Sequence, residues 1–579
     1  MTGSLTTEGL SRPLILDRTW NFFMDAIVFA FLFATVYAIV AVARYWFSAP
    51  VAAVQISLSP WAIPRYSFYS LVRMIVAYVL SLLFAVGYGY FAAYHKRLEA
   101  PMLAVLDILQ SIPVLSFLPG VMLAMVSLFP SRQLGVEFGS IVLIFTGQVW
   151  NMAFSFYASL KALPRELMEA SRVYRFSKIQ RFLQLELPQG AIGLVWNSMV
   201  SVAGGWFFLM ACEMFVLGKR DFRLPGLGSY LQSAASAGDT AAITWGIAAM
   251  IGVVVLIDQL VWRPAIAWSE KFKLEQVESS STHSSPVLNL LRKSPLLTRL
   301  RDGVTTPLME RIYLSSARHP TTDAKAEPAN WQKAFIVLAG IIALLLILHG
   351  VFQGLLVLKG ITRADLVITL ESAGATFLRV VAALVIASAW TIPAGVAIGF
   401  NPRLARIAQP IAQIAASVPA TALFPVLLLG LISLGGGLNT GSILLMLLGT
   451  QWYILFNVIA GAIAIPSEFR EVADIFRFSR LDRWRTVILP AIFPYLITGL
   501  VTASGGAWNA SIVAEYFHFK GQVLSTFGLG AEISSATDAG KFDVLLLSTI
   551  VMATLVVSVN RLVWRPLYRR AETRYRLDA

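Results

Sequence analysis

Cysteine is almost absent from this sequence. Cys212 stands alone among 579 residues, which excludes an internal disulfide and a cysteine metal site. Histidine is scarce too, and His95, His283, His319, His349 and His518 are scattered without ligand spacing. Charged residues make up only 13% of the chain, about half the share usual in soluble proteins. No Gly-x-x-x-x-Gly-Lys-Ser/Thr run occurs, so the chain has no phosphate-cradling loop of its own. What it has instead is apolar surface: 57% hydrophobic residues and a mean hydropathy of +0.70. One soluble core cannot hide that much, so the chain reads as a polytopic membrane protein. Lipid offers backbone groups no hydrogen-bond partner, which makes the expected fold all-α. The net charge of +14 sits in loops between apolar runs, which points to orientation in a membrane rather than to nucleic acid. The first apolar run is too long for a signal peptide and reads as a retained anchor.

A hydrocarbon core of about 30 Å takes about 20 helical residues. About twelve transmembrane helices follow. The first six lie near 24–46, 68–92, 102–128, 138–160, 190–218 and 243–263. The second six lie near 333–356, 375–400, 407–433, 441–464, 491–517 and 543–563. Pro-containing runs such as Ile112-Pro113 to Pro119 are candidates for broken helices. Six spans per half is an even number, so the halves enter the membrane in the same sense. Two tandem six-helix repeats related by a parallel pseudo-twofold axis are expected. The matches between halves are dense. Trp206 pairs with Trp508, Glu213 with Glu515, Gly226-Leu-Gly with Gly528-Leu-Gly and Val261-Trp-Arg-Pro with Val563-Trp-Arg-Pro, each 302 residues apart. Arg73 and Arg379, and Pro113 and Pro419, match at an offset of 306.

With the N-terminus inside, roughly 30 Lys and Arg fall in inside segments against about 9 outside, as the positive-inside rule requires. Both termini are then cytoplasmic. The expected organisation is a tail at 1–23, a first domain at 24–264, a linker at 265–332, a second domain at 333–566 and a tail at 567–579. The linker, with its run Ser279-Ser-Ser-Thr-His-Ser-Ser, reads as a solvated tether.

Two charged islands interrupt this apolar sequence. One spans 161–188 and contains Glu169-Ala-Ser-Arg-Val-Tyr-Arg-Phe-Ser. The other spans 465–490 and contains Glu471-Val-Ala-Asp-Ile-Phe-Arg-Phe-Ser. Pro164 and Pro466 sit where a helix would start, and acidic residues follow, as a positive helix end favours. Leu167, Ala170, Val173 and Tyr174 recur at helical spacing, which predicts an apolar stripe facing the membrane domain. A second short helix, near Lys178–Glu186, is expected to end at Leu187-Pro188. A single such segment could be an amphipathic connector on lipid. Two in register imply a partner that comes in two copies.

The pattern resembles the EAA loop of ABC importer permeases, a Glu-Ala-Ala followed by Gly and then by Ile-x-Leu-Pro. The residues that carry the resemblance are Glu169, Ala170, Leu187 and Pro188, and Glu471, Ala473, Leu489 and Pro490. Within that superfamily the second half is most similar to nitrate/taurine/sulfonate/bicarbonate-type permeases. The family's Gly falls at Arg175 and Arg477. Either the turn differs here, or the arginines contact the ATPase or the loop's own acidic residues. The resemblance implies a fused two-domain permease of the bacterial inner membrane that is not itself an enzyme. It implies two separate ATPase subunits that bring ATP and Mg, a periplasmic solute-binding protein, and no cofactor on this chain. The implied cargo is a small oxyanion or organic anion. The alternative is a secondary transporter with two six-helix repeats, which would have its large cytoplasmic connection only at the centre.

Ionisable and polar groups inside spans raise a functional question by default. The translocation-pathway candidates are Asp107, Gln110, Asn151, Asn197, Glu213, Gln413, Asn509 and Glu515. For Glu213 and Glu515 the favoured role is a structural bond that positions the following Gly-Leu-Gly. Arg73 and Arg379 are expected to snorkel toward the surface.

Overall fold

The computed structural model describes residues 55–129, 132–217, 220–272, 288, 303, 306–317, 330–433, 435, 437–465, 467–519 and 522–574. The expected span at 24–46, both ends of the chain and most of the linker lie outside them. Each half contains a long helix at matched positions, α1 (Ile63–Tyr94) in the first and α13 (Arg363–Phe400) in the second; the labels between them follow below. Three helices pack together most extensively in each half. In the first they are α1, α4 (Arg132–Lys161) and α7 (Leu187–Glu213). In the second they are α13, α16 (Leu438–Ile463) and α19 (Leu489–Ala514). The same neighbours meet in both halves, as a parallel duplication requires.

Close approach of these helices depends on small residues. A Cβ on Gly89 would lie 3.1 Å from the Ala153 carbonyl oxygen, and one on the matched Gly395 would lie 2.7 Å from Val458. Among the described residues, eight helices are long and apolar enough to cross a membrane. A bent pair, Lys96–Gln110 and Val114–Leu128, turned by 82° at Pro113, is apolar enough only when its two helices are taken together, as a broken span or a re-entrant loop. The pair corresponds to α2 (Lys96–Ser111) and α3 (Leu118–Leu128). In the second half the matching break falls at Val418-Pro419, between α14 (Pro402–Ser417) and α15 (Ala420–Ser433). Each break places an extended residue before the proline, as its ring demands. The apolar run near 333–356 is covered by α12 (Asn330–Leu358), which follows α11 (Thr306–Ala317).

The fifth spans differ from expectation at both ends. They were expected to reach 218 and 517, but the helices stop at Glu213 and Ala514. Two-stranded hairpins follow: β1 (Val216–Leu217) with β2 (Arg220–Asp221), and β3 (Tyr516–Phe519) with β4 (Gln522–Ser525). After each hairpin a short helix, α8 (Leu227–Ala237) or α20 (Leu529–Ala539), leads into α9 (Thr240–Ile257) or α21 (Phe542–Val559).

At their other ends, Leu187-Pro188 and Leu489-Pro490 do not terminate helices. The chain runs through them from α6 (Lys178–Arg181) and α18 (Arg480–Arg483) by π-helical turns at Phe182–Glu186 and Trp484–Ile488. Two more π turns, Asp258–Trp262 and Asn560–Trp564, enter α10 (Arg263–Ser269) and α22 (Arg565–Arg574). All four end two residues before a proline. A proline inside an α-helix clashes with the carbonyl four residues back, and a π turn relieves the clash without breaking the helix.

The halves meet through side chains as well as helices. The Val114 backbone N–H, just after the first break, donates to Asn509 Oδ1 at 2.7 Å. Ile108 and Ile112 pack against Ala553 and Val557.

Candidate functional site

The two islands fold alike. A first helix, α5 (Arg165–Val173) or α17 (Ser467–Ile475), is followed by a tight turn and then by α6 or α18. Pro164 is the N-cap residue of α5 rather than its first helical residue, and Pro466 lies outside the described residues. Ser177 caps α6 and forms a capping box with Gln180, while Ser479 accepts from the Asp482 N–H and caps α18. The third position of each Glu-x-x triplet packs inward: Ser171 is buried and Ala473 has no exposed surface.

Arg175 and Arg477 sit in the turns with φ of 52° and 49°, the only non-glycine residues among those described with positive φ. The turn is therefore the one a glycine would make, and the first alternative from the sequence is excluded. Neither guanidinium bonds the loop's acidic side chains; the backbone N–H groups donate to the Arg172 and Asp474 carbonyls and close the turns. Both side chains are exposed and make no hydrogen bond or ion pair among the described residues. In the second loop it is Arg483 that pairs with Asp474. Glu169 and Glu471 are likewise exposed.

The apolar stripe is corrected by the structure. Val173 and Tyr174 are 79% and 75% exposed, and the matched Ile475 and Phe476 are 75% and 70% exposed. Tyr174–Phe176 and Phe476–Phe478 repeat the same ring pair, 6.4 Å between centroids in each. Leu187, Pro188 and Pro490 are half-buried at the roots of the fifth spans; Ala170 is half-buried and Leu489 slightly more exposed.

The roots are held differently. In the first half Glu186, fully buried, takes Arg181 Nε at 2.7 Å and the Tyr94 hydroxyl at 2.6 Å. The matched positions in the second half are Ile488 and Phe400, apolar residues in place of an acid and a tyrosine.

About 40 Å away, at the far end of the fifth spans, Glu213 and Glu515 close a pair of clasps. Glu213 accepts from Arg73 Nη1 at 2.8 Å, from Ser70 Oγ at 2.7 Å and from the Gly228 N–H at 2.7 Å. Glu515 accepts from Arg379 Nη1 at 2.9 Å, Thr376 Oγ1 at 2.9 Å and the Gly530 N–H at 2.8 Å. A Cβ on Gly226 or Gly528 would fall inside the carboxylate, which explains the first glycine of each Gly-Leu-Gly. Arg73 does not snorkel. It is buried and also binds Glu137 at 2.5 Å and 2.7 Å, because two carboxylates and the Pro225 carbonyl replace its water. Arg379 keeps some exposure and meets Asn439 where the first half has Glu137. Sequence reasoning missed Glu137, Asn439, Ser70 and Thr376, although Ser70 and Thr376 are matched hydroxyls and were there to be found.

The remaining pathway candidates do not form one cluster. Gln110 donates to Asn151 Oδ1 at 3.2 Å, linking α2 to α4 within the first half. Asn197 donates to the Gly193 carbonyl of its own helix at 2.9 Å. Gln413 reaches Met199 Sδ at 3.6 Å across the halves, Asn509 receives the Val114 N–H, and Asp107 lies on the exposed side of α2.

Comparison with known proteins follows the duplication. The family model for binding-protein-dependent transport system inner membrane components matches residues 85–261 and 391–574, more than half of the chain. A nitrate import permease protein of Leptolyngbya laminosa is 29% identical over 189 residues, 33% of this chain and 64% of that protein. The taurine transport system permease protein of Escherichia coli is 30% identical over 200 residues, 34% of this chain and 69% of its own length. A bicarbonate transport system permease protein of Synechococcus elongatus is 27% identical over 189 residues, 33% and 65% of the two chains. The chain thus covers a little under two thirds of the nitrate and bicarbonate relatives.

Proposed function

The chain belongs to the family of binding-protein-dependent transport system inner membrane components, with the family domain present twice, and we propose that it is the complete membrane pathway of an ATP-driven importer. Two separate ATPase subunits, supplying ATP and Mg, dock on the paired loops from the cytoplasm and drive the halves between inward-open and outward-open states. A solute-binding protein delivers the cargo from the other side of a bacterial inner membrane. The reading is carried by one observation: the same pair of apolar side chains, Val173-Tyr174 and Ile475-Phe476, stands exposed beside the same acidic residue in both loops. Four large apolar groups raised into solvent gain by docking, and aromatic residues with charged neighbours are the usual anchors of an interface. The relatives' printed names, for nitrate, taurine and bicarbonate, make a small anion the first cargo class to test.

Co-purification with the ATPase tests the reading. Tyr174→Glu with Phe476→Glu should lower recovery of the ATPase about tenfold or more while leaving the membrane domain folded. Glu169→Lys with Glu471→Lys should act in the same direction. Unchanged recovery in both double variants contradicts the assignment.

A further inference from the structure

A cavity of about 130 Å³ lies between the halves at the ends of the fifth spans distant from the loops. Its wall takes matched positions from both halves: Ala211 and Val513, Met214 and Tyr516, Phe215 and Phe517. It therefore straddles the pseudo-twofold axis, where one solute meets both halves. We propose that this cavity is a subsite for the apolar, ring-sized body of an organic solute whose acidic group stays outside it. The proposal rests on the importer reading and narrows the cargo from small anions in general to organic ones.

Volume and lining both carry it. An apolar cavity of about 150 Å³ lined by Leu, Ile and Phe holds a benzene ring, so the space here suits one ring. The lining is mostly aliphatic and aromatic, and its one charged member among the described residues is an acid, Asp538. That carboxylate accepts the Tyr516 hydroxyl at 2.6 Å. Burial and then the Asp538 bond push the Tyr516 phenol up, so it stays protonated and donating. A bare oxyanion entering this space would shed water and meet the Asp538 carboxylate, and among the described residues of the wall there is no lysine, arginine or histidine. A ring loses nothing there and buries its faces.

The test is calorimetric titration of the full chain in lipid nanodiscs, with empty nanodiscs as blank. The probes are 2-phenylethanesulfonate, ethanesulfonate, benzoate and nitrate. Expected is binding of 2-phenylethanesulfonate about tenfold or more tighter than of ethanesulfonate or nitrate. Benzoate, whose charge sits on the ring, should bind about tenfold more weakly than 2-phenylethanesulfonate, and Asp538→Asn should narrow that gap. Filling the space with Ala211→Leu, or with the milder Val513→Leu should the first fail to fold, should remove the preference for the ring. Equal affinity for the two sulfonates, whether measurable or nil, overturns the proposal, as does a ring preference that survives filling. No ATPase is present in this titration. A chain that prefers the ring yet recruits no ATPase keeps the subsite and loses the importer reading, and the reverse results do the opposite.

Discussion

Arg175 and Arg477 hold a backbone conformation that ordinarily belongs to glycine, and they hold it twice. A side chain in that region costs about 1–2 kcal/mol, which glycine avoids but partly returns through its freer unfolded chain. Arg175→Gly with Arg477→Gly should therefore leave thermal stability equal or slightly higher, whereas Arg175→Val should lower it by about 1 kcal/mol or more. Because the two guanidinium groups have no partner among the described residues, the glycine pair should also weaken ATPase recovery if the arginines face the docked subunit. A clear loss of stability in the glycine pair would mean the arginines hold the loop itself. The clasps are the other residue-scale device. Glu213→Ala leaves the buried Arg73 with only Glu137 and the Pro225 carbonyl and strands the Gly228 N–H, a loss of about 3 kcal/mol. Glu515→Ala should cost less, because Arg379 retains solvent and a neutral Asn439. Comparing the two melting temperatures checks the order.

At the scale of elements, prolines shape the route from loop to span. The sequence placed Leu187-Pro188 and Leu489-Pro490 at the right distance from the loops but suggested helix ends. The helices instead continue, each absorbing its proline with one π turn. A π turn inserts the equivalent of one residue, so it rotates the loop by about 100° against the span. Pro188→Ala with Pro490→Ala removes the reason for the turn. Stability should be unchanged or higher, while stimulation of ATPase by solute falls because the loops dock out of register. Full stimulation in that variant would show that the π turns carry no coupling geometry. Apolar periodicity located most spans, because burial in lipid leaves a signal in every turn. It could not locate the hairpins after Glu213 and Ala514, where Val216 and Phe517 are as apolar as the helix before them.

The whole molecule is a duplication whose halves share the exposed apolar pair of each loop and differ at the roots of the fifth spans and in one bond across the interface. The loops match in the exposure of their paired apolar side chains, Val173-Tyr174 and Ile475-Phe476. The polar root Glu186–Tyr94 of the first half corresponds to the apolar residues Ile488 and Phe400 of the second, and Asn509 bonds across the interface from one half only. The first kind of likeness was legible in the sequence as residues in register. The clasps were half legible: Glu213 and Glu515 stand out in the sequence as paired carboxylates, but the burial of Arg73 does not, because it depends on partners from three other elements. The pathway was least legible, since a polar residue in a span reveals its partner only once the helices pack. The central claim is that each loop docks one ATPase subunit. Native mass spectrometry of the detergent-extracted complex tests it most directly. Two ATPase subunits per chain are predicted for the intact protein, and loss of both when Tyr174→Glu is combined with Phe476→Glu. A complex that keeps two ATPase subunits in the double variant, or that never holds more than one, would contradict the account.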